Sequence, residues 1–74
     1  MQIKVGQEYI DKNGTIYRID IISTDSVVGY SLRDVDKGAY YYAGSAYIAT
    51  FEAMILNGSL MPNTKTTKVL YGKD

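Results

Sequence analysis

Asp34 and Asp36 are the residues in this sequence that most resemble a pair of carboxylates acting as general acid and base. One residue separates them, and Arg33 and Lys37 flank the pair. Acid–base catalysis also needs a cleft that excludes water and a neighbour that shifts a pKa. The sequence Asp34-Val-Asp-Lys-Gly38 is instead typical of a turn. We therefore interpret both aspartates as solvated turn formers.

The absent residue types exclude further chemistry. The chain has no histidine and no cysteine, which removes the commonest nucleophile–base pairs, structural zinc sites and disulfides. A serine, threonine or tyrosine nucleophile would need a lysine or carboxylate base, and no spacing brackets such a pair. The segment Asp11-Lys-Asn-Gly14 lacks the third ligand and the later glutamate of a calcium loop. We expect no enzyme, no metal site and no cofactor.

Tyrosine is the unusual component, with eight copies in 74 residues. Five of them form a cluster that we predict to be a partner-binding site: Tyr30, Tyr40, Tyr41, Tyr42 and Tyr47. Three interpretations stay open, namely core packing between strands, a protein-binding face, and a stacking platform for single-stranded nucleic acid. Because residues 39–51 carry no charge, the cluster suits a protein partner better than a phosphate backbone.

The charge balance supports the same preference. Eight basic and eight acidic residues give a formal net charge of zero, whereas nucleic-acid binders normally show a basic excess. Three lysines near the carboxyl end, Lys65, Lys68 and Lys73, are the exception. They define the alternative function, a small nucleic-acid-binding barrel that uses a basic C-terminal strand.

Turn signals and alternation predict a meander of strands within one small domain, residues 1–74. Asn13-Gly14 predicts a hairpin that joins a first strand, Val5–Ile10, to a second, Thr15–Ile22. In the second strand, Tyr17, Ile19 and Ile21 are predicted to share one face. The third strand is predicted at Val27–Arg33, with Val28, Tyr30 and Leu32 on one side. The fourth is predicted at Ala39–Ala43, with Tyr40 and Tyr42 on one face and Tyr41 on the other.

The character of the sequence changes after Ala46. Phe51, Met54 and Ile55 recur at helical spacing, which predicts a short helix over residues 50–57 with Thr50 as N-cap and Asn57-Gly58 at its end. Alternation over residues 65–71 predicts a last, lysine-bearing edge strand. We expect a mainly β fold: a small, twisted antiparallel sheet or SH3-like half-barrel of four or five strands with one short helix. The alternative is an α+β meander whose helix packs flat across one face.

The opening segment resembles small phage and prophage accessory proteins that begin with Gly-x-x-Tyr, then Asp-x-x-Gly, then Tyr-x-Ile. The matching residues are Gly6, Tyr9, Asp11, Gly14, Tyr17 and Ile19. The match covers about a third of the chain and is similar in shape to the first hairpin of SH3-like barrels. The resemblance implies a compact, non-enzymatic binder that blocks or redirects a host or defence protein.

Two further expectations concern location and self-association. The segment Met1-Gln-Ile-Lys4 lacks the apolar core of a signal peptide, and no apolar run is long enough to span a membrane. We expect a cytoplasmic protein, in the bacterial host if phage-encoded, with no membrane partner. A domain this small has a marginal core, so we predict a homodimer through the region of Tyr40, Tyr41, Tyr42 and Tyr47. A monomer that keeps this face for another protein stays the alternative.

Overall fold

The computed structural model describes residues 3–63, which form five antiparallel strands in one open sheet and one short helix. The predicted mainly β fold with a short helix is confirmed. In chain order the elements are β1 (Glu8–Asp11), β2 (Thr15–Ile22), β3 (Val27–Asp34), β4 (Tyr42–Tyr47), α1 (Ile48–Leu56) and β5 (Leu60–Pro62).

The strands lie in the order β4-β3-β2-β1-β5. The first four strands therefore form the predicted meander, since each pairs with its neighbour in sequence. Helix α1 carries the chain from β4 to β5, which pairs with β1 at the opposite edge. Within residues 3–63, no helix is both long and apolar enough to cross a membrane.

The β1–β2 hairpin forms where Asn13-Gly14 predicts it. The Asp11 carboxylate accepts hydrogen bonds from the backbone N–H groups of Asn13 (2.9 Å) and Thr15 (3.0 Å). Gly14 has a φ of 82°, which a residue with a side chain adopts only at a cost. Strand β1 begins at Glu8, three residues later than predicted, because Gly6 has a φ of 93° within a turn that precedes the strand.

The core lies between the sheet and α1, on what we call the helix face: the sheet face that carries Tyr9, Tyr17, Ile19, Val28 and Tyr30. Of residues 3–63, six buried ones form its centre: Ile3, Tyr9, Ile19, Val28, Phe51 and Leu60. Phe51 anchors the helix, with its ring centroid 6.0 Å from that of Tyr17 and 5.4 Å from that of Tyr30. The alternation predicted for Val28, Tyr30 and Leu32 therefore places the first two against the helix.

The predicted face of Ile21 is wrong. The pairing of β2 with β3 shifts between Ile19 and Ile21, so that Ile22 rather than Ile21 packs on the core. Ile21 is instead 61% exposed, and its side chain lies over Gly29. A bulge changes which residues face the core, and period-two alternation cannot anticipate it.

Helix α1 begins two residues before the predicted start and ends one residue before the predicted end. Tyr47 is the N-cap and makes no capping bond with its side chain. The N–H of Ile48 donates instead to the backbone carbonyl of Ser26, at 2.8 Å, in the turn between β2 and β3. A tertiary contact, rather than the side chain of Thr50, therefore caps the first turn of the helix. At the other end, Asn57 is the C-cap, followed by Gly58 with a φ of 86°.

The fourth strand lies at Tyr42–Tyr47 rather than at Ala39–Ala43, and Gly44 lies within it. Gly44 is needed because two rings meet at its position. A Cβ atom there would lie 2.9 Å from the Tyr30 hydroxyl oxygen and 2.9 Å from Cε2 of Tyr42. The missing side chain lets both rings cover the helix face beside β4.

Strand β5 is not predicted by the sequence. It is three residues long and contains Pro62, which is tolerated because β5 lies at the edge of the described sheet. The strand predicted over residues 65–71 lies outside the described residues.

Gly44→Ala should destabilise the fold by about 1–2 kcal/mol, because the added methyl group forces the rings of Tyr30 and Tyr42 to move. The control is Gly38→Ala, where a Cβ would meet no atom within 4 Å. Both changes restrict the unfolded chain equally, so their difference in urea unfolding isolates the steric effect. Equal stability of the two variants would contradict the packing of these rings over Gly44.

Candidate protein-binding surface

The sheet face opposite the helix, which we call the polar face, carries a cluster of polar side chains beside the buried Ile16. The antiparallel pairs Glu8–Arg18 and Arg18–Ser31 place three of its side chains side by side, and Arg33 follows on the same side of β3. Glu8 and Ser31 are each 8% exposed, although both are polar. Buried polar groups of this kind must be hydrogen-bonded, and their partners organise the surface above them.

Tyr40 closes over Glu8. Its hydroxyl donates to Oε2 of Glu8 at 2.8 Å, while Nδ2 of Asn63 donates to Oε1 at 3.2 Å. Arg33 supplies the opposite charge, with Nη2 3.4 Å from Oε1. The carboxylate is therefore bonded to groups from β3, from the segment before β4 and from the residue after β5. This one side chain joins distant parts of the chain.

The Tyr40 ring is also held by a cation. The guanidinium carbon of Arg18 lies 4.0 Å from the ring centroid, within the range of a cation–π contact. Arg18 in turn bonds Oδ1 of Asp20 at 2.7 Å, and the Ser31 hydroxyl donates to Oδ2 of Asp20. Partial burial acts to raise the pKa of Asp20, but the hydrogen bonds from Ser31 and Arg18, with the charge of Arg18, together hold it below its usual value.

Arg33 fixes the connection between β3 and β4. Its Nη1 donates to the backbone carbonyl of Lys37 at 2.9 Å, so the guanidinium bridges this turn and Glu8. Asp34 ends β3 and accepts the turn's hydrogen bond from the N–H of Lys37, while Asp36 lies within the turn. The Asp34 carboxylate is half exposed and 3.9 Å from Nζ of Lys37. Their interpretation as turn formers agrees with this geometry.

A local irregularity then redirects the chain at Tyr41. The N–H of Tyr41 donates to the carbonyl of Leu32 at 2.9 Å, although Leu32 is paired with Tyr42. Tyr41 and Tyr42 thus both lie opposite Leu32, as in a β-bulge. Tyr40 points to the polar face, whereas Tyr42 lies on the helix face with Leu32. The predicted common face of Tyr40 and Tyr42 is therefore wrong.

The five tyrosines of the cluster are consequently separated. Tyr30 packs in the core and Tyr40 in the polar network. The other three are exposed: Tyr41 (61%), Tyr42 (55%) and Tyr47 (68%). We refer to these three exposed side chains, all within the uncharged residues 39–51, as the tyrosine surface, although Tyr42 and Tyr47 point to opposite faces of β4.

Tyr41 and Tyr42 lie near each other at one end of β4. Tyr41 is close enough to Tyr17 to contribute to the raised pKa of the Tyr17 phenol, which is caused mainly by burial and then by the nearby charge of Asp11. Tyr47 lies at the other end of the strand. It borders an open depression of about 370 Å³, lined by Val27, Ser45, Ala46, Tyr47 and Thr50.

Sequence reasoning missed the polar network. Glu8 falls in the predicted first strand and Arg33 at the end of the predicted third strand, but no pattern in the sequence predicts a contact between them. One signal was available: Glu8, Arg18 and Arg33 fall on the same face of neighbouring strands. The hydrogen bond from Tyr40 to Glu8 had no such signal, because 32 residues separate the two in sequence. Lys65, Lys68 and Lys73 lie outside the described residues.

The exposed tyrosines lie in a stretch without charge, residues 39–51. Residues 3–63 contain no group of three or more histidine, cysteine, aspartate or glutamate side chains placed to hold a metal ion. The Glu8 oxygens accept hydrogen bonds from Tyr40, Arg33 and Asn63, which stabilise the ionised carboxylate. Along β4, the exposed side chains are uncharged and include the rings of Tyr42 and Tyr47.

Tyr40→Phe keeps the ring over Arg18 and removes the hydroxyl, which donates to Oε2 of Glu8 at 2.8 Å and accepts from Nε of Arg33 at 3.4 Å. A hydrogen bond to a buried charged group contributes about 1.5–3 kcal/mol, so urea unfolding should show a loss of about 2 kcal/mol. Tyr47→Phe, at an exposed ring, is the control and should stay within about 0.5 kcal/mol of the wild type. A loss no greater for Tyr40→Phe than for Tyr47→Phe would mean that the hydroxyl does not anchor this segment.

In comparisons with protein-family models, with curated proteins and with solved structures, no match to this chain was found.

Proposed function

We propose that this chain is a non-enzymatic protein-binding module, and that the tyrosine surface of Tyr41, Tyr42 and Tyr47 contacts the partner. The partner is a host or defence protein, and the module is a phage or prophage accessory protein that acts in the bacterial cytoplasm to modulate or inhibit it. The observation that carries the proposal is the exposure of three tyrosines in, or directly before, the uncharged strand β4. Buried polar contacts fix the segment that leads into this strand.

Two physical arguments support binding through these side chains. Tyrosine provides a large contact area with only two rotatable side-chain angles, so that little entropy is lost when it is immobilised. The backbone on both sides is already ordered, by Tyr40 on Glu8 before the bulge and by the pairing of β4 with β3 after it. A preorganised aromatic surface loses less on binding than a mobile one.

The phage context rests on the opening hairpin. Asp11 and Gly14 form the tight turn, and Gly6 adopts a positive φ before β1, so these matched residues serve the backbone. Tyr9 and Ile19 lie in the core. The resemblance to the SH3-like opening of small phage proteins therefore concerns the hairpin itself. It supports a compact accessory binder and transfers no reactive residue.

The double variant Tyr41→Ser/Tyr42→Ser should lose partner binding. Hot-spot aromatic residues contribute 2 kcal/mol or more, which corresponds to a loss of affinity of more than tenfold. The wild-type protein and the variant are used as baits in host lysate, bound proteins are identified by mass spectrometry, and the affinity for each purified candidate is measured by calorimetry. Leu56→Ser, which removes an apolar side chain that is 77% exposed on α1, is the matched control.

Equal capture by the wild type, the double variant and Leu56→Ser would contradict the proposed surface. Labelled single- and double-stranded oligonucleotides at two salt concentrations form the second arm. Micromolar binding that weakens steeply with salt would favour the alternative, a nucleic-acid-binding barrel that uses Lys65, Lys68 and Lys73. Thermal melts of all variants ensure that a loss of binding is not a loss of fold.

A further inference from the structure

Strand β4 is the long open edge of the sheet. It pairs with β3 on one side, and no described residue pairs with its other side. The opposite edge is β5, which has only three residues and includes Pro62. Of the two edges formed by residues 3–63, only β4 therefore offers six consecutive residues for pairing.

The hydrogen bonds identify which groups of β4 point outward. Just beyond one end of the β3–β4 pair, the N–H of Ile48 donates to the carbonyl of Ser26. At the other end, Leu32 accepts from Tyr41, which is the extra residue of the bulge, while Tyr42 is its partner in the ladder. Hydrogen-bonded and non-hydrogen-bonded pairs alternate along an antiparallel ladder. Gly44 and Ala46 therefore bond to β3. The N–H and C=O groups of Ala43 and Ser45 point away from it, towards the open edge.

The Val27 carbonyl provides an independent check. It accepts a hydrogen bond from the N–H of Ser23, on the β2 side of β3, at 2.9 Å. Val27 is paired with Tyr47, so this pair is not hydrogen-bonded and the N–H of Tyr47 also points outward. The open edge thus presents a continuous row of backbone donors and acceptors.

Edge strands normally carry features that prevent pairing with another chain, such as lysine, proline or an inward-pointing charge. Strand β4 contains none of these, since its sequence is Tyr-Ala-Gly-Ser-Ala-Tyr. The nearest charged residues in sequence are Lys37 and Glu52. Two copies of this strand can therefore approach each other without like-charge repulsion, which a charged edge would not allow.

We propose that the open edge of β4 pairs antiparallel with β4 of a second copy of this chain, joining two sheets across a two-fold axis. A two-fold interface uses the same patch on both copies, and only β4 can supply the matching uncharged strand from residues 3–63. The axis passes through the middle of the strand. Ser45 of one copy then lies either directly opposite Ser45 of the other copy or diagonally across from it.

The size of the paired edge determines how tightly the copies associate. Six residues of strand extend over about 20 Å. This is a small contact compared with the roughly 800 Å² per partner of a standard complex. The dimer consequently forms and dissociates with concentration. The inference is independent of the proposed host partner, because it concerns backbone groups of β4 and a copy of the same chain.

The test places a charge at the two-fold axis. Ser45 is exposed, so Ser45→Lys and Ser45→Glu should each keep the wild-type melting curve at low concentration, where the wild type is monomeric. Masses are measured by light scattering over a range of concentrations. The wild type should rise from one to two chain masses of 8.2 kDa. Each variant alone should stay at one mass, and their equimolar mixture should recover the dimer, less completely at high salt.

Ala53→Lys, an exposed position on α1, is the control and should dimerise like the wild type. Three results would each overturn the proposal: a wild type that stays at one chain mass at every concentration, a Ser45→Lys variant that dimerises like the wild type, or a mixture that does not recover the dimer. None of these depends on capture of a host protein, so failure here is distinguishable from failure of the proposed function.

Discussion

The hydrogen bond from Tyr40 to Glu8 is the constraint on which the exposed surface depends. A carboxylate this buried is stable only if it is paired and bonded, and removal of one partner from such a site costs several kcal/mol. Glu8 obtains its partners from Arg33, Asn63 and Tyr40, which reach it from separate parts of the chain. The segment before β4 must therefore fold back over the polar face. Where β4 begins, and which way its side chains point, follow from that requirement.

The tyrosines are sorted by the same constraint. Tyr40 packs into the polar network on one sheet face, and Tyr30 packs against Phe51 on the other. The bulge opposite Leu32 then leaves Tyr41 and Tyr42 exposed at one end of β4, and Tyr47 at the other. Buried polar contacts thus order a strand that carries no charge. The result is an aromatic surface and an open backbone edge next to each other, both suited to protein contacts.

Local signals were sufficient for part of the fold. The β1–β2 hairpin follows from Asp11 and Gly14, and the alternation of Val28 with Tyr30 identified the buried side of β3, because these features act over a few residues. The start of α1 was not predictable, since the N–H of Ile48 is satisfied by Ser26. The start of β4 depends on Glu8, 32 residues from Tyr40.

The candidate site divides in the same way. Sequence alone identified the tyrosine cluster and its lack of charge, which are properties of composition and spacing. It could not say which tyrosines are exposed, because the bulge at Tyr41 breaks the alternation on which that inference relied.

Amide hydrogen exchange along β4 by NMR tests the open edge most directly. At low concentration, Gly44 and Ala46 should be protected while Ala43 and Ser45 exchange quickly, and only the latter pair should slow as concentration rises. Equal protection of all four amides at every concentration would contradict an open edge.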